Sequence, residues 1–291
     1  MRPLPVDNEK LHLIYLKPMP YICPICQTPL RQQLSTRSYQ CSNDHHFDIA
    51  KEGYINLLPA QYKKSKEPGD SKEMMRARRN FLEAGFYQPL AQAISNIIDQ
   101  HLADIPKPRI LDMGCGEGYY SRQIEVLTQH NKLDLHGLDI AKNAILAAAK
   151  KQATAQFIVA SSERMPYSDN FFNLLLRIYA PSNNSEIKRL LKTNGYLLTV
   201  TPGPRHLWQL KELIYQDTKE HDTQAPLPEN FTTLTNQRVS DIIIPNQDQR
   251  MDLLQMTPFA WRATKQMTHA IQQAQDLEIE IDFILTLAVK S

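Results

Sequence analysis

Three cysteines and two histidines crowd into residues 23–46, with the spacing Cys23-x2-Cys26-x14-Cys41-x3-His45 and His46 directly after. Two short ligand pairs joined by a longer connection have the donor set and spacing of a tetrahedral zinc site. A lone C-x-x-C pair would equally suit redox chemistry. Here the second pair supplies further metal ligands, and no thioredoxin-like strand and helix flank the first. His45 and His46 both satisfy the spacing of the fourth ligand; His45 is preferred. Four protein ligands close the coordination sphere, so the ion is expected to be structural. An apparent binding energy of roughly 10–16 kcal/mol is enough to fold a short polar ribbon that cannot build a core.

A second constellation lies at 110–120, ILDMGCGEGYY. Asp112 precedes a turn containing Gly114, Gly116 and Gly118, with Glu117 inside it. Glycines let the backbone bend tightly and approach a ligand closely, and a following helix aims its N-terminus at that ligand. Dinucleotide enzymes use such a turn too. Two carboxylates here would oppose a pyrophosphate, whereas a cationic sulfonium tolerates them. Asp139 closes the next apolar run, LDLHGLDI, where a carboxylate accepts both ribose hydroxyls of an adenosine. Small polar residues in ASSER, 160–164, follow the third run, near where an adenine would lie. These features resemble the S-adenosyl-L-methionine-dependent methyltransferases with a Rossmann-like sheet, and the resemblance makes Asp112, Gly114, Gly116, Glu117 and Asp139 candidate contacts for that cofactor. Cys115 has no base beside it in sequence and reads as packing in a tight bend.

The elements that must position these residues alternate. Apolar runs at RILDMG, LDLHGLDI, QFIVASS, FNLLLRIYA and YLLTVT are strands, and helices are expected from about 117, in AKNAILAAAKK, and in SEIKRLLKTNG closed by Gly195. Such alternation argues a parallel sheet with helices on both faces. RVSDIIIP and EIEIDFILTLAV end the chain as strands, with helices at about 247–256 and 263–275 between them. Upstream, PGDSKE starts a helix capped by Asp70 or Ser71, running to about Ala84 and stopped by Gly85, and a second helix covers 88–103.

Composition bounds the rest. A hydrophobic fraction of 42% and a charged fraction of 22% are ordinary for a globular protein. The chain contains no apolar run long enough for a membrane-spanning helix, and its first twenty residues lack the apolar core of a signal peptide. Four cysteines make no disulfide framework, so the expected compartment is the reducing cytoplasm. A net charge of +2 neither requires nor excludes nucleic acid, but YKKSKEPGDSKEMMRARR, 62–79, holds seven Lys or Arg against three acids. That is either a solvated helix face or a phosphate-contacting stripe in which Arg76, Arg78 and Arg79 bind RNA. On the second reading, reversing these three charges weakens RNA binding and spares the cofactor.

With KEGYINLLP, PGDSKEMMRARRNFLEAGFYQPL, RIYAPSNNSEIKRLLKTNGYLLTVTPGPRHL and LLQMTPFAWRA, these motifs resemble the bacterial 23S ribosomal RNA guanine-N1 methyltransferases, from Tyr21 to the end of the chain. The resemblance implies an α/β fold: a Rossmann-like class I methyltransferase sheet behind a small N-terminal zinc ribbon. The expected divisions are a tail at 1–20, the ribbon at 21–60, a basic helical linker region at 61–105 and the methyltransferase domain at 106–291. Cys23, Cys26, Cys41 and His45 match the family's zinc ligands. Gly116, Glu117, Tyr87 and His206 match its cofactor contacts, although spacing alone would select neither Tyr87 nor His206. The implied partner is 23S rRNA, with no membrane, and the family suggests a homodimer. Guanine N1 must lose a proton, so charge develops towards O6; Arg177 is the candidate to stabilise it, with Tyr179 stacking on the base. The rival readings are a small-molecule methyltransferase, which leaves the ribbon and the basic stretch unexplained, and a non-enzymatic zinc-ribbon RNA-binding protein, which the intact glycine motif and Asp139 oppose.

Overall fold

The computed structural model describes residues 20–33, 36–62, 69–130, 132–152, 154–222 and 227–291. The tail expected at 1–20 lies outside the described residues except for Pro20, as do Lys63, Lys64 and Lys66 of the basic stretch. Among the described residues, β1 (Arg31–Gln33), β2 (Ser38–Gln40) and β3 (His46–Asp48) form an antiparallel ribbon. Next come β4 (Ile55–Asn56), α1 (Lys72–Glu83) and α2 (Gln88–Leu102). The glycine turn then joins β5 (Arg109–Met113) to α3 (Tyr119–Leu127). After it follow β6 (Asp134–Asp139), α4 (Lys142–Lys151), β7 (Gln156–Val159), β8 (Phe172–Ile178), α5 (Asn184–Leu190) and β9 (Leu191–Pro202). The chain ends with α6 (Trp208–Glu212), β10 (Phe231–Ile243), α7 (Gln247–Gln255), α8 (Lys265–Gln273) and β11 (Ile279–Lys290).

The large sheet has the order β10-β11-β9-β8-β5-β6-β7-β4. Its strands run parallel from β4 to β9, and β11 is antiparallel to both β9 and β10. Central strands covered on both faces need side chains that are apolar throughout, and FNLLLRI of β8 is buried at five positions in seven. One face packs on α1, α2, α3, α7 and α8 through Phe81, Leu90, Ile98, Ile124, Leu253 and Ile271. The other packs on α5 and on the ribbon through Ile187, Leu190, Tyr21, Leu30 and Tyr39.

The expected and observed elements differ in ways that bear on the site. The helix expected to end at Gly195 stops at Leu190, because Leu191 enters β9 opposite Phe172. Asn194 is left-handed and a Cβ on Gly195 would meet the Lys192 carbonyl at 2.8 Å, so KTNG is a tight turn inside the strand region. The 61–105 region is no linker: Phe81, Leu90, Ile94, Ile98 and Leu102 are fully buried against the sheet. The boundary at 60 also falls beyond β4, which already belongs to the large sheet through Ile55 opposite Ile158 and Asn56 opposite Val159. Ser71 caps α1 by accepting the Met74 N–H at 3.2 Å, and Gly85, at φ 87°, follows its end.

Candidate active site and metal centre

Two knuckles bring the ribbon ligands together. Gln27 N–H donates to the Cys23 carbonyl at 2.9 Å, and Asp44 N–H to the Cys41 carbonyl at 3.1 Å. The ligand atoms of Cys23, Cys26, Cys41 and His45 all lie within 4.8 Å of one another. Cys26 Sγ is 3.6 Å from Cys41 Sγ, and His45 Nδ1 is 3.3 Å from Cys41 Sγ and 3.6 Å from Cys23 Sγ. Ligands about 2.3 Å from a central zinc stand about 3.5–3.8 Å apart along tetrahedron edges, so the donor set fits a closed zinc site. His46 points outward from β3 as an exposed side chain, which leaves His45 as the imidazole of the set.

The ribbon is fastened to the sheet beside this centre. Tyr21 is 1% exposed, edge-on to Tyr39 and tilted on Tyr167, both at 5.3 Å. Ile22 N–H donates to the Pro166 carbonyl at 3.1 Å, and Leu57 N–H to the Val159 carbonyl at 2.9 Å.

The glycine turn is built as its sequence suggests. Gly114, Gly116 and Gly118 all have positive φ, which a side chain rarely adopts. A Cβ on Gly114 would meet Ala180 at 2.8 Å, so the turn and the end of β8 are in close apposition. At Gly116 nothing lies within 4 Å of an added Cβ, so this part of the turn opens on free space. Asp139 stitches the turn to the start of α4: its carboxylate accepts Gly116 N–H at 2.9 Å and Ala141 N–H at 2.8 Å. Each carboxylate oxygen keeps a second lone pair for ribose hydroxyls. A cavity of about 800 Å³ adjoins, with Asn56, Leu58, Asp70, Glu117, Ile140 and Val159 in its wall. Space, glycine cradle and Asp139 together fit an adenosine-bearing cofactor.

Asp112 is 4% exposed and accepts a hydrogen bond from Ser121 Oγ at 2.7 Å. Burial pushes its carboxyl up to about 7. Cys115 is buried in the bend, its thiol pushed well up by burial, as a packing residue would be. Tyr87 and His206, which spacing could not select, meet in the structure. Tyr87 is 5% and His206 7% exposed, with Tyr87 Oη 3.4 Å from His206 Nε2. His206 Nδ1 accepts the Asp282 N–H at 3.1 Å, so the proton of the neutral ring sits on Nε2, facing Tyr87. Burial pushes His206 down to about 3.

Arg177 and Tyr179 do not converge. Leu174 and Leu176 of β8 face one core and Leu175 the other, and Arg177 follows Leu175. Its guanidinium is 6% exposed and donates to Thr199 Oγ1 at 3.0 and 3.2 Å and to Ser182 Oγ at 3.2 Å. Tyr179 has left β8, and its φ of 51° turns the ring to the opposite face, 6.0 Å from His206 and 6.4 Å from Phe283. Arg177 thus braces the loop after β8 through Thr199 and Ser182.

The basic stretch divides similarly. Arg79 pairs with Glu117 of the glycine turn, and Arg78 with Asp70. Arg76 lies on the exposed face of α1. Sequence reasoning missed Asn56 and Leu58 in the cavity wall. No local signal marks the wall residues, because only sheet pairing brings them there.

A parallel sheet with one antiparallel insertion, a glycine turn, an acidic residue ending the next strand and a four-ligand ribbon define a zinc-containing, S-adenosyl-L-methionine-dependent methyltransferase. The comparisons with known proteins narrow that class. Residues 21–66 match the family profile described as "RlmA, N-terminal", a zinc ribbon, and residues 106–257 match that of a methyltransferase domain. YxjB of Bacillus subtilis, by provisional name a 23S rRNA (guanine-N(1)-)-methyltransferase, is 30% identical over 276 residues, covering 92% of this chain and 96% of its own. The 23S rRNA (guanine(748)-N(1))-methyltransferase of Streptomyces fradiae is 30% identical over 244 residues, covering 82% and 85%. The chain belongs to the 23S rRNA (guanine-N1-)-methyltransferase family.

Proposed function

We propose that the protein transfers a methyl group from S-adenosyl-L-methionine to N1 of one guanine in a 23S rRNA hairpin. The observation that carries this reading is the Cys3His ribbon locked onto the edge of a methyltransferase sheet, in a chain similar to rRNA methyltransferases along 92% of its length. The bound cofactor supplies an electrophilic methyl on a cationic sulfonium. The protein's part is to align the acceptor with it and exclude water. Asp139 holds the ribose, Gly114 and Gly116 admit the cofactor to the turn, and Asp112 and Glu117 offer negative charge to a cation. Tyr87 and His206, a buried pair beside Tyr179, are further cofactor contacts on this reading; a neutral His206 adds no positive charge beside a sulfonium.

Guanine N1 lies on the pairing edge, so the base must be unpaired or flipped before it can react. Tyr179 is 47% exposed at the end of β8, next to the glycine turn through Ala180, and offers a stacking face for the extruded guanine. Arg177 acts by holding the Ser182 side of that loop. The work belongs in the cytoplasm, where ribosomal RNA is, and the ribbon and Arg76 grip RNA outside the site. The test is methyl transfer from labelled cofactor to 23S rRNA lacking modifications, followed by nucleoside analysis. Label in 1-methylguanosine supports the reading; label in another nucleoside, or none in RNA, overturns it.

A further inference from the structure

Trp261 is 79% exposed, the most exposed large apolar side chain among the described residues. Tryptophan is usually well covered, so an indole left in water calls for a partner. It ends the short turn Pro258–Trp261, and that turn is pinned from beneath. Phe259 packs on the core and edge-on to Tyr215, with ring centroids 5.9 Å apart. Thr257 Oγ1 donates to the Leu254 carbonyl at 2.9 Å, and the N–H groups of Arg262 and Ala263 both donate to the Phe259 carbonyl at 3.0 Å. The backbone is therefore fixed while the indole stands clear of it. Trp261 also lies on the wall of the 800 Å³ cavity, together with Lys72, Arg79 and Glu117. Arg78 ties the basic helix to this segment by donating to the Met256 carbonyl at 3.4 Å.

An exposed aromatic ring on a pinned backbone, on a cavity wall that also carries Lys72, is a combination that holds unpaired nucleotides. Any base has a π-face to stack, and the cation takes a phosphate. We propose that Trp261 is a stacking platform for an unpaired base of the RNA substrate, at the rim of the cofactor cavity and apart from the Tyr179 ring. The proposal rests on the reading of the substrate as RNA. Because Trp261 stands on the cavity wall, RNA affinity and cofactor affinity are measured side by side in the same variant.

The test uses the 23S rRNA fragment that the wild-type protein methylates. With S-adenosylhomocysteine saturating, Trp261→Ala should weaken binding of that fragment roughly 5- to 100-fold. Trp261→Phe should recover most of the loss, and in Trp261→Ala the affinity for S-adenosylhomocysteine should fall by a smaller factor than that for RNA. The chain has two tryptophans, so Trp208→Phe leaves Trp261 as the sole indole. In that protein the RNA fragment should quench the tryptophan emission more than S-adenosylhomocysteine alone does. Unchanged RNA affinity in Trp261→Ala would overturn the proposal while the wild-type reaction stands. Weakened cofactor binding with intact RNA affinity would also overturn it, making Trp261 a cover for the adenine. If the wild-type protein methylates no RNA, the functional reading fails first and takes the platform with it.

Discussion

Asp112 sits beneath the glycine turn with Ser121 as its hydrogen-bond partner. Its carboxyl is pushed up to about 7 by burial, so in the free protein it holds a proton below that pH. A cationic cofactor binds the ionised form. Below pH 7 binding must first expel the proton, so cofactor affinity should fall on acidification, by at most about tenfold per pH unit. Calorimetric titration with S-adenosyl-L-methionine between pH 6 and 8 checks this: a sloping profile in wild type and a flat one in Asp112→Asn are expected, and a flat wild-type profile would remove Asp112 from the cofactor site. At Tyr179 the expected contribution is a ring face. Tyr179→Phe should keep methyl transfer within about threefold, while Tyr179→Ala should lower kcat/KM by roughly 10- to 100-fold. Equal losses in both would assign the role to the hydroxyl instead. The glycine turn, the place of Asp139 at the end of β6 and the clustering of the four metal-ligand side chains were legible in sequence because each follows from local spacing. The separation of Arg177 from Tyr179 was not, because it turns on one left-handed residue just beyond a strand.

At the scale of elements, α1 is the piece whose role the structure changes. Its cap, length and stop follow from Ser71 and Gly85, and all were readable. Its charges were not, because the partner of Arg79 lies 38 residues away in the glycine turn. The three arginines should therefore behave differently. Arg76→Glu should weaken RNA binding and reduce its salt dependence by about one contact, with cofactor affinity unchanged. Arg79→Glu should weaken cofactor binding as well, because it faces Glu117 with a like charge. Filter binding across a salt series, beside cofactor titration, separates the two. If both variants lose only RNA affinity, the Arg79–Glu117 pair has no part in the cofactor site. The shortened helix before β9 has a similar lesson: KTNG carries turn residues as well as a stop signal, and the pull of Leu191 into the sheet decides between them.

For the whole molecule, the segment that follows the metal ribbon supplies the edge strand of the large sheet. That strand is β4, whose Asn56, with Leu58 just beyond, lines the cavity. β4 is a two-residue strand and carries no periodicity to read, so the ribbon reads from sequence as a separate domain. Removing zinc should unfasten this edge and weaken S-adenosylhomocysteine binding about tenfold, equivalent to about 1.4 kcal/mol, with recovery on adding zinc back. Cofactor titration of chelated protein, with circular dichroism confirming that the sheet persists, checks this; undiminished affinity would make the ribbon independent of the site. The central claim, methylation of a 23S rRNA guanine at N1, is tested most directly by primer extension on 23S rRNA from cells with and without this gene. A methyl on N1 blocks pairing, so reverse transcriptase should stop beside a single hairpin guanine only when the gene is present. Identical extension profiles from the two strains would contradict the account.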